Sequence, residues 1–173
     1  AARHVEVPVV YDAVSSAEKD IQTALEKGVV HYPNTANPGQ YGNGVLFGHS
    51  SNNILNRGQY KFAFLFLKGL EIGDTFSMEK DGKRYVYKVF QKSIVEPTDV
   101  SVMNNIPDKA ATMTLITCDP PGTSLKRLVV VGEQISPAIT SNLAAITQPA
   151  PTPQNNVLPS NAPSLWGRLF GSL

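Results

Sequence analysis

The sequence has one cysteine, Cys118, in 173 residues. That count excludes an intrachain disulfide and any thiolate cluster for a structural metal. An excess of one charge sign is also lacking: 15 Lys and Arg face 14 Asp and Glu, for a formal net charge of +1. With no basic block to hold a phosphate backbone, nucleic acid is not an expected partner. No acidic cluster has the spacing of a calcium loop, so no metal ligands and no cofactor are assigned, and calcium dependence stays open. Residues 1–173 open at Ala1 with neither an initiator Met nor a basic-apolar leader, and they hold no run near the roughly 20 apolar residues of a membrane helix. The chain reads as a mature or trimmed form, with any membrane anchor expected outside residues 1–173. Past Glu133 charge almost vanishes, Arg168 being the one charged side chain of 134–173. The stretch QPAPTPQNNVLPSNAPS has the Pro and Asn content of a linker. Two regions are therefore expected: a folded unit at 1–135, and a tail at 136–173 ending in the short apolar SLWGRLFGSL. That end suits a docking peptide, a weak interfacial anchor or the stump before a membrane helix.

Most of the chain before the tail consists of short β-prone runs. VEVPVV at 5–10 carries Pro8, which suits an edge strand because proline donates nothing to a ladder. Ser15 and Glu18 have capping-box spacing, Ile21, Ala24 and Leu25 share one face, and Gly28 follows as a breaker, so a short helix is expected there. HYPNTANPGQYGNG at 31–44 is nearly all turn formers and leads into the apolar Val45, Leu46 and Phe47. YKFAFLFLKGL at 60–70 is apolar without a clear period, which leaves helix and strand both open. Asp81-Gly82 between 75–79 and 84–90 is a hairpin signal. Further strands are expected at 92–95, 112–117 and 128–131. Many short strands, one good helix and no regular βα alternation point to a mainly β chain, a barrel of about seven or eight strands with short helices.

Three residues stand where strands end. Cys118 follows the uncharged TMTLIT and precedes a Pro-Gly turn, which would put its sulfur at the rim of the sheet. The plain alternative is a buried small hydrophobe. Arg127 opens the next strand, and if the two strands pair it neighbours Cys118 across the ladder. Its charge would favour a thiolate, and its fork of donors would stabilise an oxyanion. An ordinary solvated arginine is the alternative. His49 closes the VLFGH strand and could protonate a leaving amine and deprotonate an incoming one. His4 and His31 have weaker claims by position.

The run TLITC at 114–118 followed by DPPGTSLKRLVVVG resembles the cysteine strand, loop and arginine strand of sortases. HYPNTANPGQYGNGVLFGHS at 31–50 resembles the segment that delivers their histidine. LKGLEIGDTFSMEKDGKRYVYKV at 67–89 is similar to their Gly-Asp and tyrosine-bearing hairpin, and VEP with Asp99 to the stretch before the cysteine strand. The resemblance implies a sortase-like catalytic barrel acting as a cysteine transpeptidase. Cys118 would be the nucleophile, His49 the general acid and base, and Arg127 the group that positions peptide and oxyanion. Thr117, Tyr32 and Asn34 are the substrate-binding candidates. The implied substrate is an LPxTG-like sorting signal of a surface protein or pilin, cleaved through a thioacyl enzyme. The implied acceptor is an amine of a peptidoglycan precursor or a pilin lysine, and the implied place is the outer face of a bacterial cell membrane.

Two rivals share these residues. Ser50 follows His49 where the family often has arginine, which leaves room for a catalytically silent barrel that only binds cell-wall or surface-protein peptides. A hydrolytic cysteine peptidase would instead let water reach the acyl enzyme. The tail contains LPSNA at 158–162, which imitates the start of a sorting signal with Asn in place of Thr. It is either a chance Leu-Pro in a linker or a pseudosubstrate lying in or near the groove.

Overall fold

The computed structural model describes residues 5–11, 13, 15–50, 60, 62–144 and 156–160. Among the described residues seven strands and one α-helix run in the order β1 (Val9–Val10), α1 (Glu18–Leu25), β2 (Val29–His31), β3 (Gly42–Phe47), β4 (Thr75–Lys80), β5 (Lys83–Val95), β6 (Ala111–Asp119) and β7 (Lys126–Ser136). They form a single sheet in the order β1-β2-β3-β6-β7-β5-β4, curled into a half-barrel. The β1/β2 and β3/β6 pairs are parallel and the other four are antiparallel. Near the two edges of the sheet, the Lys80 ammonium lies 5.2 Å from the Tyr11 ring centroid.

All nine residues of β6 are buried, because side chains pack on both faces of the sheet. Successive residues alternate between two cores, as the two-residue period of a strand requires. Leu46, Met113, Leu115, Leu128 and Val130 enter the core holding Tyr87 and Val89. Val45, Phe47, Ile116, Val129 and Val131 enter the other, where Ile21, Ala24 and Leu25 of α1 pack. Burying an aliphatic side chain of this size contributes about 1.5–3 kcal/mol. Ile21 and Leu25 thus secure α1 against one face of the sheet.

The sequence signals are realised with some shifts. The 5–10 run contributes only Val9–Val10 as strand, and the Pro8 carbonyl accepts the Val29 N–H at 3.0 Å. The capping box does not form. Ala17 is the N-cap of α1, without a side-chain cap, while Ser15 Oγ accepts the Ala17 N–H and donates to Asp20. Glu18 instead accepts from Ser160 and Gln22. Gly28 lies beyond the Glu26 C-cap, and a Cβ there would fall 2.3 Å from the Pro8 carbonyl oxygen. Its role is to let β1 approach. The 60–70 run contains a short 3-10 helix, Leu65–Gly69, with Leu67 buried. The hairpin turns on Asp81 (φ 53°) and Gly82 (φ 73°) as its composition indicates. The separate strand expected at 92–95 is the continuation of β5 past a register shift between Val89 and Gln91.

Candidate active site

The ends of β3, β6 and β7 converge at one rim. Cys118 and Arg127 are direct partners in the antiparallel β6/β7 ladder. Directly opposed residues share a face with Cβ atoms roughly 5 Å apart. That face is the one α1 covers, since Ile116 and Val129, two residues away on each strand, pack against Ile21 and Leu25. β3 runs parallel to β6 with Phe47 opposite Ile116, and the ladder continues through the Gly48 N–H to the Ile116 carbonyl at 3.1 Å. Thr117 Oγ1 donates to the Gly48 carbonyl at 2.7 Å, which fixes the backbone just before His49. On the far side, the His49 carbonyl accepts the Phe64 N–H at 2.9 Å. His49 is thus delivered by a strand end clamped from two sides.

His49, Thr117 and Cys118 line one cleft together with Gly48, Pro159 and Ser160. Cys118 and His49 are each 5 % exposed and Arg127 only 1 %. Among the described residues Arg127 donates to four backbone carbonyls. Nε reaches Pro159 at 2.9 Å and a terminal nitrogen reaches Leu158 at 3.1 Å, while the other terminal nitrogen serves Ser124 at 3.1 Å and Lys126 at 3.0 Å. No carboxylate among the described residues pairs with it. Its positive charge is therefore balanced by carbonyl dipoles and not by an ion pair.

A family model described as Sortase domain matches residues 2–135. The chain belongs to the sortase family. Among its curated relatives, Sortase A of Listeria monocytogenes is 32% identical over 93 residues, covering 48% of this chain and 41% of that protein. Sortase SrtE1 of Streptomyces coelicolor is 32% identical over 124 residues, covering 64% and 33%. The chain spans between a third and just under two thirds of the length of the curated sortases it matches. Among solved structures, sortase C1 from Streptococcus suis superposes with a TM-score of 0.61 at 29% identity, covering 78% of this chain and 68% of that one. Sortase C-1 from Actinomyces oris gives 0.60 at 27% identity, covering 76% and 68%. These likenesses agree with the mainly β half-barrel of the sortase chain described above.

The other two substrate-binding candidates lie elsewhere. Tyr32 is fully buried in the α1-side core, its ring tilted against Phe47 at 5.4 Å between centroids, and burial raises its pKa. Asn34 is exposed in the turn after β2 with a φ of 61°. Neither lines the cleft of Cys118 and His49. His31 is buried, with Nε2 3.0 Å from the Ala36 carbonyl.

Three contacts were missed at the residue level. Lys68 lies 3.8 Å from Asp119, just past the cysteine. Asn43 Oδ1 accepts the Thr112 and Thr114 hydroxyls at 2.9 Å each, and its Nδ2 donates to the Asn104 carbonyl, tying β3 to β6 below the site. The third is the specific seat of Leu158 and Pro159 on Arg127; the sequence offered LPSNA as a pseudosubstrate in or near the groove but not the residue that holds it. Among the described residues no group of three His, Cys, Asp or Glu is placed to hold a metal, and no helix is long and apolar enough to cross a membrane.

Proposed function

We propose that this sortase is a cysteine transpeptidase that cleaves an LPxTG-like sorting signal and joins it to an amine. The observation that supports this is that Cys118 shares a cleft with His49 and is the direct ladder partner of Arg127. Cys118 and His49 line the cleft, Arg127 stands beside it as the ladder partner of Cys118, and each is assigned one task in acyl transfer.

The Cys118 thiolate adds to the scissile carbonyl carbon, and the carbonyl electrons move to oxygen. The Arg127 guanidinium beside it offsets that developing charge, the effect worth most in a buried site. The intermediate collapses by breaking the C–N bond. His49, as imidazolium, gives its proton to the departing amine, leaving a thioester on Cys118. An incoming amine loses a proton to His49 as it attacks, and the thiolate is regenerated. A thioester reacts well with amines, so the covalent intermediate makes transfer possible where direct hydrolysis would waste the acyl group.

The surface-protein or pilin signal, the peptidoglycan or lysine amine, and a place at the outer face of a bacterial membrane belong to this proposal. So does membrane attachment through segments outside residues 1–173. Thr117 serves by holding the backbone before His49. Tyr32 and Asn34, read from the sequence as substrate-binding, do not line this cleft and are assigned no step of the reaction. The test is product analysis with an LPxTG-type peptide at rising triglycine concentration. The expected result is a transfer product that grows at the expense of the hydrolysed acid. Cleavage with a product ratio indifferent to the amine would instead assign a hydrolytic peptidase.

A further inference from the structure

Residues 158–160 form an outlying piece of backbone that runs back over the rim of β6 and β7. Leu158 is 1 % exposed and packs in the α1-side core with Ile21, Leu25 and Ile116. Its N–H donates to the Pro97 carbonyl at 2.7 Å, and its carbonyl takes a bond from Arg127 at 3.1 Å. The Pro159 carbonyl takes Arg127 Nε at 2.9 Å. Ser160 is held by α1: its N–H and hydroxyl both donate to Glu18, at 3.1 and 2.9 Å, and Gln22 donates to its carbonyl. Pro159 and Ser160 then form one wall of the cleft over Cys118 and His49. The space left there is about 10 Å³, room for at most one water.

From these contacts we infer that the chain's own Leu158-Pro159-Ser160 occupies the peptide groove and inhibits the enzyme competitively until it is displaced. The inference rests on the transpeptidase proposal above. A sorting peptide needs the Arg127 donors and access to the Cys118 sulfur, and the tail holds the first and walls off the second. Its residue order, Leu then Pro, also matches the start of the proposed signal, so tail and substrate compete on the same chemistry. A chance Leu-Pro in a linker would not place its leucine in the core and both its carbonyls on one buried arginine. Because the segment is tethered, it competes at an effective concentration on the order of millimolar, whatever the protein concentration.

Two full-length variants test this. Leu158→Asp puts a charge into the apolar socket and expels the segment. Glu18→Ala with Gln22→Ala removes the grip on Ser160 from the outer face of α1 and leaves both cores untouched, so it decides the matter if the first variant does not fold. Two readouts are taken: the rate of Cys118 alkylation by iodoacetamide, and KM and kcat for an LPxTG-type peptide. Alkylation roughly tenfold faster, with KM lowered severalfold or more and kcat little changed, is the expected result. Folded variants with the parental alkylation rate and the parental KM would overturn the inference while leaving transpeptidation intact. Faster alkylation without peptide turnover would uphold the occupied groove and overturn the transpeptidase proposal instead.

Discussion

At the scale of residues, Arg127 is the group to which the proposed mechanism assigns the developing oxyanion. It is almost wholly buried, bonded to carbonyls, and set opposite Cys118 in the ladder. Arg127→Lys keeps a charge but loses the planar fork, so kcat/KM for an LPxTG-type peptide should fall by about 10²–10³. A lysine variant within a fewfold of the parent would show that charge alone suffices. Thr117 acts at one remove. Thr117→Val leaves the Gly48 carbonyl without its 2.7 Å donor and should cost about 1–2 kcal/mol in urea unfolding, with kcat falling more than KM rises. An unchanged kcat would detach Thr117 from the placement of His49. His31 carries a pH dependence unrelated to catalysis. Burial is the main reason its pKa lies below the ordinary 6.5, with the Lys80 charge adding to the depression and the Ala36 hydrogen bond opposing it. The unfolded chain therefore takes up this proton first as pH falls. Its stabilising contribution is complete above about pH 6.5 and is lost as pH drops through the lower folded value. His31→Gln should lose less stability than the parent between pH 7.5 and 5, measured by urea midpoints. Equal losses would place the acid sensitivity elsewhere.

At the scale of elements, the β4/β5 hairpin and the β6/β7 pair were both legible in the sequence, for different reasons. The hairpin is a local code: Asp81 and Gly82 supply the two positive φ values that an I′ turn needs. Gly82 has open space where a Cβ would stand, so Gly82→Ala meets only backbone strain and should cost about 1–2 kcal/mol without altering peptide turnover. A neutral effect on stability would mean the turn relaxes. The pairing of Cys118 with Arg127 was legible because a short turn-rich loop joins two β-prone runs. What escaped was decided by partners distant in sequence. The capping box at Ser15 and Glu18 satisfied a local pattern, yet Glu18 is engaged by Ser160, 142 residues away. The 60–70 run had no period to read because only some of its apolar residues are buried, Phe62 and Phe66 standing exposed. Asn43 looked like a turn residue and is instead a buried clamp between β3 and β6. Tyr32 was a groove candidate by its place in a loop, but the core beside Phe47 absorbs its ring.

At the scale of the whole molecule, the half-barrel buries both faces of its central strands, and the rim where three of them end carries the proposed site. Composition set 136–173 apart from the first 135 residues as a tail. Contacts nevertheless cross that line, since Leu158 completes a core made by α1, β3, β6 and β7. Leu158→Ala should therefore lower the stability of the domain by about 2–5 kcal/mol, read as a shift of a single urea transition. An unmoved midpoint would mean the tail contributes nothing to the fold. The central claim is acyl transfer through Cys118. It is tested most directly by intact-mass analysis of the full chain after prolonged incubation with millimolar LPxTG-type peptide, beside Cys118→Ala. The expected result is a mass increase equal to the peptide's acyl portion, confined to the chain with Cys118 and discharged by triglycine. A folded chain that gains no mass and cleaves no peptide, even with the Glu18→Ala and Gln22→Ala substitutions, would contradict it.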